Sequence, residues 1–239
     1  MHNSLMMQLI GEFIGTAFVV LLGDGVCAAV NLKKSKANGA GWIAIALGWG
    51  LAVTLSVYFV SWLSPRHFNP AVTIAMAAAG KFAWSSVLPY IIAQVAGAFV
   101  GAVMVWLTYY PHWAETTDQE LILGTFSTEP AIRNYFWNFF AEVVGTFIFI
   151  YGLLAFTKAN IPANLNPILA GLLIAGCVFS VGGITGYAIN PARDFGPRLA
   201  HQLLPIANKG KSDWAYSWVP VVGPIVGGLL AALLFKAIA

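Results

Sequence analysis

Two short stretches hold the residue types from which hydrogen-bonding chemistry could be built inside an otherwise apolar chain. They are Arg66-His67-Phe68-Asn69-Pro70-Ala71 and Gly186-Tyr187-Ala188-Ile189-Asn190-Pro191-Ala192-Arg193-Asp194. Each contains an Asn-Pro-Ala triplet. Asn is a preferred helix N-cap and Pro is tolerated at the first helical position, so each triplet reads as the point where extended chain turns into helix. The groups considered first are the amides of Asn69 and Asn190 and the guanidinium of Arg193, all able to donate to an oxygen. For Asn69 and Asn190 the plainer reading is capping alone. For Arg193 the plainer reading is a salt bridge with its neighbour Asp194; the other is a functional group facing water, the default for an ionisable side chain at membrane depth.

The elements that must position these groups are short helices among long ones. A helix from Pro70 to about Gly80 has roughly ten residues, or about 15 Å at about 1.5 Å per residue, half of a hydrocarbon core about 30 Å thick. The helix after Asn190 ends near His201 and is about as short. Non-helical backbone at membrane depth persists only where protein buries it or it lines a watery cavity, so two half-helices imply a pore or a site near the midplane. Around them lie six apolar segments: about Leu5 to Val30, Gly41 to Leu63, Phe82 to Tyr109, Asn134 to Thr157, Pro167 to Gly182 and Trp214 to Ala237. The chain is 59% hydrophobic and 9% charged, far too little charge to cover a soluble domain of 239 residues. It therefore reads as an integral membrane protein.

The formal charge of +3 comes from scattered Lys and Arg with no basic stripe, which argues against nucleic-acid binding. Cys27 and Cys177 both lie in apolar segments and read as buried thiols, with no disulfide framework and no metal set. The N-terminus lacks the basic region of a signal peptide, so the first apolar segment is expected to be retained. The stretch from Pro111 to Arg133, with Glu115, Asp118, Glu120 and Glu129, reads as one long polar divider.

The two sides of that divider repeat one another. Gly11-Glu12-Phe13-Ile14-Gly15-Thr16 matches Ala141-Glu142-Val143-Val144-Gly145-Thr146, and the two Asn-Pro-Ala triplets hold equivalent places. An odd number of spans before the divider starts the second copy on the opposite face, so the repeats are inverted and the half-helices enter from opposite sides to meet Asn to Asn. Pairs of glycines four residues apart, Gly11 and Gly15, Gly97 and Gly101, Gly223 and Gly227, suit close helix crossings in lipid. Glu12 and Glu142 sit inside helices at matching positions, and a buried carboxylate must be hydrogen-bonded.

These motifs resemble those of the aquaporin family, the major intrinsic proteins, and within it the bacterial glycerol facilitators. The resemblance rests on Gly-Glu-Phe-Ile-Gly-Thr, His-Phe-Asn-Pro-Ala-Val-Thr, Gln94-Val95-Ala96-Gly97-Ala98, Asn-Pro-Ala-Arg-Asp-Phe-Gly-Pro and Val219-Pro220-Val221-Val222-Gly223-Pro224. It implies an all-α membrane protein of six transmembrane helices plus two re-entrant half-helices, with inverted three-helix repeats around a central pore. A single channel domain would span residues 1–239: repeat one about 5–109, a connecting loop about 110–133, and repeat two about 134–239. The implied activity is passive diffusion of small neutral solutes, glycerol and water first, with ions and protons excluded and with no cofactor or catalytic step. Lactic acid, dihydroxyacetone, urea and hydrogen peroxide are the alternative solutes.

The resemblance also implies roles. Trp49, Val178, Tyr187 and Arg193 would form the narrowest ring, a slot greasy on one side and donating on the other. Val178 and Tyr187 stand where facilitators resemble Gly and Phe, while water-selective relatives carry His and a smaller residue there. Trp49 and Tyr187 could instead be packing aromatics. Carbonyls of Pro65, Arg66, His67 and Phe68, and of Gly186, Tyr187, Ala188 and Ile189, would form a ladder of acceptors; Pro65-Arg66 replaces the common Gly-Ala. His67 would line the pore or act as a structural donor. Glu12 and Glu142 would brace the re-entrant loops, with Asp194 in a supporting place. A homotetramer in the cell membrane with cytoplasmic termini is implied, although the Lys and Arg count favours the opposite orientation. The rival readings are an ion-coupled transporter using Glu12 or Glu142, an intramembrane hydrolase, for which no catalytic constellation is seen, and a junctional structural protein.

Overall fold

A computed structural model describes residues 3–159 and 161–238. Among them the regular structure is helical throughout: α1 (Leu5–Asn31), α2 (Trp42–Phe59), α3 (Pro70–Ala78), α4 (Val87–Thr108), α5 (Tyr110–Glu115), α6 (Gln119–Phe126), α7 (Tyr135–Phe156), α8 (Asn166–Val181), α9 (Pro191–Leu203) and α10 (Trp218–Ile238). The helices α1, α2, α4, α7, α8 and α10 are the six long and apolar enough to cross a membrane, α4 and α8 each with a leading 3-10 turn. The chain is a multi-pass membrane protein.

The half-helices begin and end for local reasons. Asn69 Oδ1 accepts the Ala71 N–H at 2.8 Å and Asn190 Oδ1 accepts those of Ala192 and Arg193 at 3.0 and 3.2 Å, which satisfies donors that every helix start leaves open. Pro70 and Pro191 occupy the first helical positions, where the missing N–H costs nothing. Helix α3 stops at Gly80, whose φ of +74° allows the Lys81 N–H to reach the Met76 carbonyl at 2.9 Å.

Packing follows the inverted duplication. Helix α1 lies along α4 and α7 along α10; α2 lies against α8. Each half-helix crosses over to the other half, α9 against α4 and α3 against α10, so neither half could close its core alone. Small residues permit these crossings. A Cβ at Gly97 would stand 2.2 Å from the Phe13 carbonyl oxygen on α1, and one at Gly227 would stand 2.3 Å from that of Val143 on α7. Gly11 and Gly15 serve a different contact from the helix crossing expected of them: they face Leu63, Ser64 and the Phe68 ring, the chain that enters α3.

The polar divider is not a plain loop. It folds into α5 and α6, with Asp118 capping α6 through the Glu120 and Leu121 N–H groups at 3.0 and 3.2 Å. Trp113, Ile122 and Phe126 from this segment are fully buried in a core shared with Val20 and Ala28 of α1 and Ala192 and Ala200 of α9. Glu115, Asp118 and Glu120, which suggested a loop, are exposed on its outer face while Glu129 is half-buried, and the apolar residues pack against α1 and α9.

Candidate functional site

The two Asn-Pro-Ala turns meet in the middle of the bundle. Asn69 Nδ2 donates to the Ile189 carbonyl and Asn190 Nδ2 donates to the Phe68 carbonyl, both at 2.8 Å. Each amide therefore caps its own helix through oxygen, ties the opposite loop through one N–H, and keeps one N–H uncommitted. Both side chains line a cavity of about 90 Å³, room for a short file of water-sized molecules. Its lining is aliphatic and aromatic at Val19, Ile45, Val53, Phe149 and Ile174, and polar at Asn69, Asn190 and Arg193, with residues of the two entering loops between them in sequence.

The entering loops have an unusual backbone. Arg66, Phe68, Tyr187 and Ile189 adopt φ of +66°, +49°, +59° and +43°, and Gly186 adopts +80°. A non-glycine residue in this region costs about 1–3 kcal/mol, most for a β-branched one, and persists only when its surroundings impose it. Two buried carboxylates impose it here. Glu12 accepts the N–H groups of His67 and Phe68 at 3.0 and 2.7 Å, together with Ser64 Oγ and Gln94 Nε2, both at 2.8 Å. Glu142 accepts the N–H groups of Ala188 and Ile189 at 3.1 and 2.9 Å, with Thr185 Oγ1 at 2.6 Å. The same device is used twice, at positions related by the duplication.

With the N–H groups turned toward the glutamates, the carbonyls of Arg66, His67, Gly186, Tyr187 and Ala188 accept no hydrogen bond from any described residue. The eight carbonyls named from the sequence thus differ in what already reaches them. Those of Phe68 and Ile189 already receive the asparagine amides, and Pro65 lies outside the cavity lining, its carbonyl near Arg66 Nε at 3.4 Å. His67 lines the cavity while its Nδ1 lies 3.1 Å from Thr73 Oγ1.

Trp49, Val178, Tyr187 and Arg193 all line this one cavity. The Arg193 guanidinium carbon stands 4.2 Å from the centre of the Trp49 ring, and Nη1 donates to the Phe126 carbonyl at 3.0 Å. Trp42 Nε1 donates to the Val178 carbonyl at 3.0 Å and so fixes the end of α8. The suggested salt bridge between Arg193 and Asp194 is absent, because successive helical residues point about 100° apart. Asp194 pairs with Arg198 one turn on, at 2.8 Å, and Arg193 is 3.4 Å from Asp24 on α1.

Asp194 and Arg198, both fully buried, hold the mouth on the Arg193 side. Asp194 Oδ2 accepts the N–H and Oγ1 of Thr128 at 2.8 and 2.7 Å, and Arg198 donates to the carbonyls of Thr128, Ser212 and Asp213 at 2.9, 2.8 and 3.1 Å. In that mouth burial pushes the Glu129 carboxyl up to about 7, with Asp213 adding to the rise and Arg198 opposing it. The sequence reading named neither Asp24 nor Phe126 as part of the site. Asp24 could have been found as an acid lying in the middle of an apolar span; nothing local marks the Phe126 carbonyl.

The profile of the major intrinsic protein family matches residues 1–235. Glycerol uptake facilitator protein 3 of Lactiplantibacillus plantarum is 61% identical over 238 residues, covering 100% of this chain and 99% of the relative. A probable glycerol uptake facilitator protein of Thermotoga maritima is 54% identical over 227 residues, covering 95% of this chain and 97% of the relative. Among solved structures, the aquaglyceroporin from Plasmodium falciparum superposes with a TM-score of 0.87 at 30% identity, covering 98% of this chain and 97% of that one. Full-length matches of this kind, joined to two Asn-capped half-helices that interlock at the centre of six spans, place the chain in the major intrinsic protein family.

Proposed function

We propose that the protein is a passive channel for small neutral solutes, glycerol and water first, and that it excludes ions and protons. The observation that carries this reading is the reciprocal pair of bonds from Asn69 to Ile189 and from Asn190 to Phe68. It sets the N-termini of two half-helices against one point of the cavity, leaving one amide N–H on each side for a passing oxygen. Two positive dipole ends at that point repel hydronium and cations, while a hydroxyl or water exchanges bonds with the amides and the loop carbonyls. The amphipathic wall suits a carbon chain that carries hydroxyls along one edge. Glycerol uptake facilitators and an aquaglyceroporin among the relatives support the same solutes.

The expected result in proteoliposomes is glycerol and water permeability well above that of empty vesicles, independent of any proton gradient, with no ion current. Dependence of uptake on a proton gradient would favour an ion-coupled transporter, and a sizeable proton current would remove the electrostatic barrier from the account.

Trp49, Val178, Tyr187 and Arg193 are proposed as the constriction. Val178 is buried at the cavity wall, so Val178→Gly opens the slot by a side chain without touching a donor. Glycerol permeability is expected to rise about tenfold relative to water, since the change removes three carbons from the wall and even one methylene in a pocket is worth about 1–3 kcal/mol, or about 10–200-fold. Stopped-flow shrinkage and reswelling measures both rates; an unchanged ratio would take Val178 out of the constriction.

A homotetramer in the plasma membrane with cytoplasmic termini completes the proposal. Three of the basic residues that argue for the reverse orientation are engaged in structure on their own side. Lys34 pairs with Glu115 at 2.7 Å, Arg133 pairs with Asp213, and Lys209 Nζ caps the end of α9 at the carbonyls of His201, Gln202 and Leu204.

A further inference from the structure

Four carboxylates are buried inside the described bundle: Glu12, Asp24, Glu142 and Asp194. Three of them collect several hydrogen bonds each. Asp24 collects none: neither of its oxygens accepts a bond from any described residue, and its exposure is 0%. It stands on α1 beside Gly23, where a Cβ would lie 2.3 Å from the Trp49 ring, so α1 is pressed directly against the back of the constriction. The cation it faces among the described residues is Arg193, with Nη1 3.4 Å from Asp24 Oδ1.

A carboxyl group buried with no other donor keeps its polar oxygens at tolerable cost only beside an opposite charge. Arg193 supplies that charge, and the dependence runs both ways. Held by Asp24, by the Trp49 ring at 4.2 Å and by the Phe126 carbonyl at 3.0 Å, the guanidinium is fixed on the cavity wall. We propose that Asp24 is a positioning residue of the constriction, holding Arg193 against Trp49, so that a solute meets a donor already shared with a carboxyl group and not a free one. This inference rests on the channel reading above. Conduction requires that a solute bind well enough to enter and weakly enough to leave. A guanidinium already shared with a carboxylate binds a hydroxyl less tightly than a free one. Removing the carboxylate strengthens and displaces the donor, and a solute with three hydroxyls is slowed more than water.

The test uses the full-length protein in liposomes, with glycerol and water permeability measured for Asp24→Asn and Asp24→Val, each with Arg193 and with Arg193→Ala. Val is close to Asp in volume and is at ease in an apolar helix, so it serves where Asn does not insert. The expected result is a fall of at least threefold in the glycerol to water ratio when Arg193 is present, and no change in that ratio when it is absent. An unchanged ratio in the Arg193 channels overturns the proposal, as does the same fall in both backgrounds. Failure of both variants to insert whichever residue stands at 193 also overturns it, because Asp24 would then serve the fold alone; failure confined to the Arg193 channels supports the coupling. If the channel reading itself were wrong, the unsubstituted protein would not conduct above empty vesicles, a result separate from all of these.

Discussion

Glu12→Ala is expected to reduce glycerol and water flux at least tenfold and to lower stability by about 3–5 kcal/mol. The carboxylate accepts four donors, the His67 and Phe68 N–H groups, Ser64 Oγ and Gln94 Nε2, and all four lie in or against the loop that enters α3. Each buried donor left without an acceptor costs about 1–3 kcal/mol, and partial relaxation keeps the sum below the simple total. The functional loss is larger than the stability loss suggests. Arg66 and Phe68 hold left-handed backbone only because the N–H groups between them are anchored to Glu12, and the Phe68 carbonyl is the acceptor for Asn190. Once the anchor is gone the loop relaxes toward ordinary φ, its carbonyls turn, and the bond that locks the two triplets is lost. Glu12→Gln should fall between, because an amide oxygen still accepts two bonds while its nitrogen confronts two donors. Thermal unfolding in detergent and stopped-flow flux on the same preparations test this. Full flux with a melting temperature near that of the parent would mean that the loop holds its shape without the carboxylate.

The six spans and both half-helices were legible because each rests on a local signal: a long apolar run, or an Asn-Pro pair that caps and starts a helix. The duplication was legible for the same reason, since Glu12 and Glu142 sit in matched motifs. Two things were not. The segment from Pro111 to Arg133 reads as polar because its charges are contiguous in sequence, whereas Trp113, Ile122 and Phe126 reach the core only after α5 and α6 have formed. A cap at Asp118 followed by Leu121, Ile122 and Phe126 was the available sign of α6. The partners of Arg193 were also hidden, because Asp24 is far away in the sequence and the Phe126 contact is made by backbone. The neighbour Asp194 was the obvious candidate in one dimension; in three dimensions the helix turns it toward Arg198.

That turn creates a departure from twofold likeness between the halves, and it yields the second strong expectation. Counting from Asn69 as one counts from Asn190, the positions of Asp194 and Arg198 correspond to Thr73 and Ala77. Thr73 bonds the Asn69 carbonyl at 3.1 Å, Gln94 Nε2 of α4 at 2.9 Å and lies 3.1 Å from His67 Nδ1, so it ties α3 to α4 and to its own entering loop without a charged pair. The acid and base in α9 instead fasten two loops, at Thr128 and at Ser212 and Asp213, to the half-helix that carries Arg193. Arg198→Met is therefore expected to cost about 3–5 kcal/mol, the usual loss when one member of a buried pair is removed and its partner charge is left alone. Three backbone carbonyls would lose their donor at the same time. Thr128 lies two residues from Phe126, whose carbonyl accepts Arg193 Nη1, so the release of that loop should also loosen the constriction and lower the glycerol to water ratio. Adding Asp194→Asn to Arg198→Met should cost less than Asp194→Asn costs in the parent, because the charge it removes has already lost its partner. Unfolding measurements on the parent, both single variants and the double variant decide the matter. Strictly additive losses would mean that the two side chains brace the mouth independently, each through its own backbone contacts, and that the charge between them contributes nothing to holding it.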